Sequence, residues 1–421
     1  MPTSESQTAQ PAQALAGLRV LDLSRILAGP TATQLLADLG AEVIKIERPG
    51  VGDDTRGWGP PFVTDARGSE TRESAYFLSA NRGKHSVAIN IADPRGQALV
   101  QALAAKADIL VENFKPGDLD RYGLGYASLS AANPRLIYCS ITGFGQTGPN
   151  AHRAGYDFLV QGEGGLMSLT GEVDGPPLKA GVGIADVLTG MYATVGVLAA
   201  VEARHTSGRG QHIDLALMDT QIAMLINQGV GFLTDGTVPP RRGNDHPTIV
   251  PYGTFPASDG SFILAVGNDA QFARFVTVAG APGLATDARF ATNAARVRNR
   301  TALIPLLSTL TEGRSAADWL ALCASETIPA GPVNDLAQVF ASPQVAARGM
   351  RVQMAHPLSG SGQVEVIGNP LKLSQTPVTY AKAPPTLGAD TMAVLTRHLG
   401  LGTDALQVLA DANVIQGKLP E

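Results

Sequence analysis

The stretch Leu18–Glu47, LRVLDLSRILAGPTATQLLADLGAEVIKIE, decides the fold. Its first six residues, Leu18–Leu23, form a compact apolar run of buried-strand length. Gly29 and Pro30 then open a helix, where proline is tolerated because a first-turn N–H has no partner inside the helix. TATQLLADL continues that helix, and Gly40 suits its end. Glu42–Glu47, EVIKIE, reads as a second strand. Strand, helix and strand with short joints specify a right-handed parallel crossover.

The pattern repeats downstream. Ser86–Ile91 (SVAINI), Asp108–Phe114 (DILVENF) and Leu136–Ile141 (LIYCSI) read as strands, and Asp93-Pro94 caps and starts a helix through ALVQALAAKA. Alternating β and α over about 130 residues predicts an α/β fold with a Rossmann-like open parallel sheet. Leu188–Arg204 is apolar on most faces and predicts a helix buried in the domain or at a subunit contact. Between Thr234 and Pro251 the composition shifts to Gly, Pro, Arg and Asn, which marks a long loop and a boundary. Beyond it, TFPASDGSFILAVG reads as a hairpin turning at Asp259-Gly260. Short helices follow at Asp269–Val278, Ala302–Leu310 and Ala316–Ala324. The tail from Arg348 carries strands at Val352–Met354 and Val364–Ile367 and a last helix near Thr391–Leu399. The expected organisation is a disordered tail over 1–14, a large domain from 15–225 and 345–421, and a smaller inserted α+β domain over 226–344.

Thirty-two Lys and Arg stand against 37 Asp and Glu in 421 residues, a net charge of −5, with no dense basic run. Nucleic acid is therefore not an expected partner. Cys139 and Cys323 lie far apart and the seven histidines never adopt a ligand spacing, so no metal is expected. The N-terminal residues lack the basic start and apolar centre of a signal peptide. The apolar stretch around Met191–Val201 is read as shorter than the ~20 residues a membrane span needs. The expectation is a cytoplasmic protein with no membrane partner.

A dinucleotide fold shows GxGxxG after its first strand, and here SRILAGP supplies one glycine. The P-loop pattern is absent too. A phosphate-bearing ligand must then be held by side chains, and Arg48 and Arg121 follow strands or turns where they either serve that role or are solvated surface charges. Asp186 is the lone carboxylate of Gly181–Ala193, GVGIADVLTGMYA. It reads as a helix N-cap, as a nucleophile that a helix N-terminus keeps ionised, or as both at once. Arg242, Asn244 and His246, in RRGNDHP, belong either to a solvated loop or to a lid over a site.

Several separated motifs carry a family resemblance. The Leu15–Pro60 segment, ANRGKHSVAINIADPRG, VENFKPGDLDRYGLGY, CSITGFGQTGP and the Asp186 segment agree in order and spacing with class III CoA transferases, the formyl-CoA transferase and carnitine CoA-transferase group. AGYDFLVQGEGGLMSLTG, GNDHPTIVPYGTF, VGNDAQFARF and IPAGPVNDLAQVFASPQV most resemble members that use succinyl-CoA and a second dicarboxylic acid, such as glutarate or hydroxymethylglutarate. The resemblance implies a large Rossmann-like domain built from both chain ends, a small inserted domain, and an interlocked homodimer. It puts the family nucleophile on Asp186 and the contacts to coenzyme A on Ile26, Ala28, Arg48, Ile89, Asn113, Phe114 and Arg121. Coenzyme A and acyl-CoA are substrates in such enzymes, with no permanently bound cofactor and no metal.

The chain also departs from the formyl-CoA transferases. RRGNDH replaces their run of loop glycines, Leu27 stands for a glutamine, and a lysine is missing near Thr142. Formyl-CoA and oxalate are thus not the expected substrates. A dicarboxylate keeps one carboxylate unreacted, and Arg242, Asn244 and His246 are the candidates to hold it. Two alternatives belong to other classes. An acyl-CoA racemase of the same superfamily has GHD where this chain has Gly155-Tyr156-Asp157, and tyrosine, with a pKa of ~10, is a poor base at neutral pH. A non-catalytic CoA-binding protein would not need the intact Asp186.

Overall fold

The computed structural model describes residues 13–418, so the expected tail over 1–14 lies, apart from Gln13 and Ala14, outside the described residues. The strands are β1 (Arg19–Asp22), β2 (Glu42–Glu47), β3 (Phe62–Thr64), β4 (Glu70–Ser74), β5 (Lys84–Ile89), β6 (Ile109–Glu112), β7 (Ile137–Thr142), β8 (His212–Ala216), β9 (Tyr252–Ala257), β10 (Gly260–Ala265), β11 (Ala330–Pro332), β12 (Arg351–Ala355), β13 (Gln363–Ile367) and β14 (Ile415–Gln416). Seven of them form one sheet in the order β14-β5-β2-β1-β6-β7-β8. Every pairing in it is parallel except that of β14 with β5.

The sequence explains both faces of this sheet. Parallel strands are covered on both sides and so carry apolar side chains up and down. Leu21, Ile44, Val87 and Leu110 point to a core shared with Met392 and Leu395 of the helix Thr391–Leu399. Val20, Val43, Ile109, Ile137 and Cys139 point to the other, shared with Ala32 and Leu36 of the helix Ala28–Asp38 and with Ala193 and Val197 of the helix Ile184–Ser207. Those two helices touch backbone to backbone. A Cβ on Gly190 would sit 2.6 Å from the Ala28 carbonyl oxygen and 2.8 Å from Thr31 Cβ, which is why that position is glycine.

The chain divides into two units. One holds the described residues through Leu166, Ala180–Val230 and everything from Ala346; the other holds Met167–Lys179 and Gly231–Val345. The expected small-domain start at 226 therefore moves to Gly231, inside the helix Ile226–Asp235, and Met167–Lys179 joins that unit. The physical reason is a set of contacts remote in sequence. The Gly243 N–H bonds Gly171 O at 3.0 Å, and the Arg241 guanidinium bonds Glu172 O and Gly175 O at 3.3 and 2.6 Å. The second unit wraps the antiparallel sheet β11-β10-β9 around Phe255, Phe262, Phe272, Phe275, Phe290 and Trp319.

Two further expectations are corrected. A helix Thr403–Asp411 follows the one expected to be last. The 24-residue helix Ile184–Ser207 is long and apolar enough, by length and composition, to cross a membrane, so the reading of Met191–Val201 as too short was an underestimate. In this fold one side of that helix is spent on the sheet.

Candidate active site

In the large sheet β1 lies between β2 and β6; the chain leaves β1 toward β2 on one side and leaves β6 toward β7 on the other. A crevice opens beyond the carboxyl ends of β1 and β6 at such a switch point, where ligands bind in open α/β sheets. Two segments enter it: Ser24–Ala28 after β1 and Asn113–Pro116 after β6. They wall two adjoining cavities, and Arg25 and Phe114 belong to both. The first, about 290 Å³, brings together Arg48, Ile89 and Phe114 with Ile46, Ile91 and Tyr122. The second, about 420 Å³, brings together Ile26, Ala28, Asn113, Phe114 and Asp186, with Trp58 and Tyr156.

Asp186 is the third residue of its helix, and the flanking residue is Gly183, so Asp186 is not the N-cap. The capping role falls to Asp157. Its Oδ1 accepts the N–H groups of Ala185 at 2.8 Å and Asp186 at 3.3 Å, while Oδ2 accepts Gln161 Nε2 at 2.6 Å. The helix terminus thus spends its donors on a neighbour. Asp186 is 9% exposed, and among the described residues its carboxylate accepts no hydrogen bond. Burial, and then the negative charge of Asp157, push its pKa up to about 7. The helix terminus is expected to hold the group low; here burial and the like charge of Asp157 raise it instead. The result is a basic carboxylate with unshared lone pairs on a cavity wall, the properties of a carboxylate nucleophile.

A buried ionic lattice lies beneath. On one face of the sheet the strands pass from apolar to charged toward their carboxyl ends: Val20 to Asp22, Val43 to Lys45 to Glu47. Lys45 pairs with Asp53 at 3.0 Å and Lys84 with Asp22 at 3.1 Å, all four fully buried side chains. Arg56 bridges Glu47 and Glu73 at 2.8 and 2.7 Å. Burial disfavours the charge on Asp22, but Lys84 and Lys45 overcome it and hold its pKa at about 2.

The remaining sequence candidates separate. Arg48 is exposed on the first cavity and makes no ion pair among the described residues. Arg121 lines neither cavity; it is exposed and paired with Asp118 at 2.8 Å, because the short helix Asp120–Tyr122 turns Tyr122 inward in its place. Arg242, Asn244 and His246 all belong to the second unit. There Asn244 bonds Thr254 Oγ1 at 3.1 Å, and His246 Nδ1 accepts the Thr248 N–H at 3.2 Å. The Arg242 guanidinium has no hydrogen bond or ion pair among the described residues. Sequence reasoning passed over Asp157 as a residue of the helix end. Its only signal was its place in Gly155-Tyr156-Asp157, and nothing local links it to a helix nearly thirty residues on. Asp53 and Lys45 were legible only as charges in or beside a strand that ought to be apolar.

A switch-point crevice with a buried, unbonded carboxylate on its wall is the arrangement of an α/β enzyme whose chemistry runs through a carboxylate. The chain belongs to CoA-transferase family III, whose model matches residues 15–391, and it is an enzyme of the CoA-transferring class. It is 49% identical over 381 residues to a succinate–glutarate CoA-transferase from Agrobacterium fabrum, covering 90% of this chain and 94% of that one. It is 43% identical to succinyl-CoA:glutarate CoA-transferase from Mus musculus, covering 99% and 92%. Among solved structures, a CaiB/BaiF family protein from Brucella suis superposes with a TM-score of 0.81 at 48% identity, covering 92% of this chain and 100% of that one.

Proposed function

We propose that this enzyme moves coenzyme A from succinyl-CoA to glutarate or a similar dicarboxylate, with Asp186 as covalent nucleophile. The observation that carries the reading is the buried, unbonded Asp186 carboxylate on the wall of the second cavity. The substrates named for the Agrobacterium and mouse relatives support the choice of acids.

An Asp186 oxygen attacks the thioester carbonyl of succinyl-CoA. The C–S bond breaks, CoA thiolate leaves, and a succinyl–aspartyl anhydride remains. The thiolate attacks the aspartyl carbonyl, succinate departs with the bridging oxygen, and an aspartyl-CoA thioester forms. An acceptor carboxylate attacks that carbonyl and expels the thiolate. The thiolate then attacks the acceptor's acyl carbon, giving the new thioester and freeing Asp186. Overall one thioester and one carboxylate replace another thioester and another carboxylate, so the sequence needs no net proton and no external energy source. A raised Asp186 pKa makes the carboxylate a stronger nucleophile while leaving a useful ionised fraction near neutrality.

Arg48 takes a phosphate of the coenzyme, and Ile89 and Phe114 flank its apolar parts, with Ile26 and Ala28 nearer the thioester. Arg121 is not assigned a contact. Arg242, Asn244 and His246, all within the second unit, are the residues proposed to hold the unreacted carboxylate of the acid. The working form is an interlocked homodimer. Its support is the uncovered apolar face of the helix Ile184–Ser207, where Met191, Tyr192 and Val195 are 49%, 49% and 63% exposed. An acceptor screen with succinyl-CoA tests the reading. Glutarate and related dicarboxylates should be converted and acetate should not; exchange confined to monocarboxylates would refute it.

A further inference from the structure

Ile26 occupies the left-handed region, φ 72°, which β-branched residues avoid. Glycine would adopt it without strain. An isoleucine there persists only if its surroundings hold it. The holding groups are explicit. The Asn113 side-chain amide spans both main-chain groups of Arg25: Oδ1 accepts its N–H at 2.8 Å, and Nδ2 donates to its carbonyl at 2.7 Å. The Ile26 N–H points to Asp53 Oδ1 at 3.3 Å. That carboxylate is itself fixed by Lys45 and by the Thr55 N–H and hydroxyl, at 3.0, 3.0 and 2.8 Å. Lys45 also donates to Ser24 O at 2.8 Å. Ser24, Arg25 and Ile26 thus each have a main-chain group tied to a side chain from a different segment.

We infer that Asn113 is a positioning residue: it clamps the Arg25–Ile26–Leu27 turn in a conformation its sequence disfavours, and so sets the wall of the cavity that holds Asp186. The resemblance implied that Asn113 touches coenzyme A. Asn113 lines the second cavity, and its amide oxygen and one amide N–H are engaged with Arg25. The kinetic consequence of the clamp rests on the CoA-transfer reading; the conformational one does not.

A double-mutant cycle with Ile26→Gly separates the two roles. Asn113→Ala alone should lower kcat about 100-fold, the scale of a misplaced reactive wall, with the KM for succinyl-CoA changed by less than about threefold. Ile26→Gly removes the strain, so the double variant should turn over about tenfold faster than Asn113→Ala alone. Equal losses in both backgrounds, or a loss carried by the KM for succinyl-CoA, would make Asn113 a substrate contact and overturn the inference. A crystal structure of Asn113→Ala gives a second readout independent of activity. Ile26 should leave the left-handed region; a φ still near 72° contradicts the clamp. A wild-type enzyme that moved CoA to no dicarboxylate would defeat the proposed function, and the crystal structure would still decide the clamp.

Discussion

Among single residues, two carboxylates govern the chemistry. Asp157 takes the N–H groups at the start of the Asp186 helix and leaves Asp186 buried beside a like charge. Attack needs the ionised form, so kcat should rise with pH through about 7. Asp157→Asn keeps an oxygen acceptor for Ala185 and removes the neighbouring charge. The acidic limb of the kcat–pH profile should move to lower pH, while Gln161 Nε2 loses its acceptor and Gln161 Oε1 keeps the Ala180 N–H. An unmoved limb would leave burial as the whole cause. The stability sign is opposite to that of a paired aspartate. Between its unfolded value near 4 and about 7, native Asp186 binds more proton than the unfolded chain, so it lowers stability as pH rises through that window. Asp186→Asn should therefore be inactive yet raise Tm more at pH 8 than at pH 5, checked by calorimetry. The sequence made Asp186 visible as a lone charge in an apolar run. It gave no view of Asp157, because the pairing is made across a loop by tertiary packing.

At the scale of the element, most of the sheet was readable. EVIKIE and LIYCSI have the length and apolar character of parallel strands, and Asp93 caps its helix as its sequence indicated, accepting the Arg95 N–H at 2.8 Å. The edge strand β14 was not readable: two residues, Ile415 and Gln416, carry no periodicity. Met167–Lys179 was misplaced because hydrogen bonds to Arg241 and Gly243, not its own pattern, decide which unit it joins. The close approach of the helices at Gly190 makes an element-scale prediction. Gly190→Ala forces the Asp186 helix away from Ala28, and both line the second cavity. It should cost about 1–3 kcal/mol in urea unfolding, the usual penalty of overpacking, and lower kcat. A variant as stable and active as wild type would mean that the two helices can separate freely.

At the scale of the whole molecule, the fold class was legible because alternating β and α segments admit few topologies. The division of labour around the crevice was less so, since an exposed arginine looks the same in sequence whether or not a cavity lies beside it. Arg48 and Arg121 show the difference. Arg48→Ala should raise the KM for succinyl-CoA by about 1–3 kcal/mol in binding terms, the range for hydrogen bonds to charged groups, and leave the KM for glutarate nearly unchanged. Arg121→Ala should alter neither, because its exposed pair with Asp118 is worth little. Steady-state kinetics of both variants check this. Covalent participation of Asp186 is read out by turnover with glutarate carrying oxygen-18 in both carboxylates, followed by mass spectrometry of the peptide containing Asp186. In the anhydride sequence the bridging oxygen stays with the aspartate when CoA returns to the acceptor. Asp186 should then gain heavy oxygen during turnover in unlabelled water. Continued exchange with no label in that peptide would contradict the mechanism.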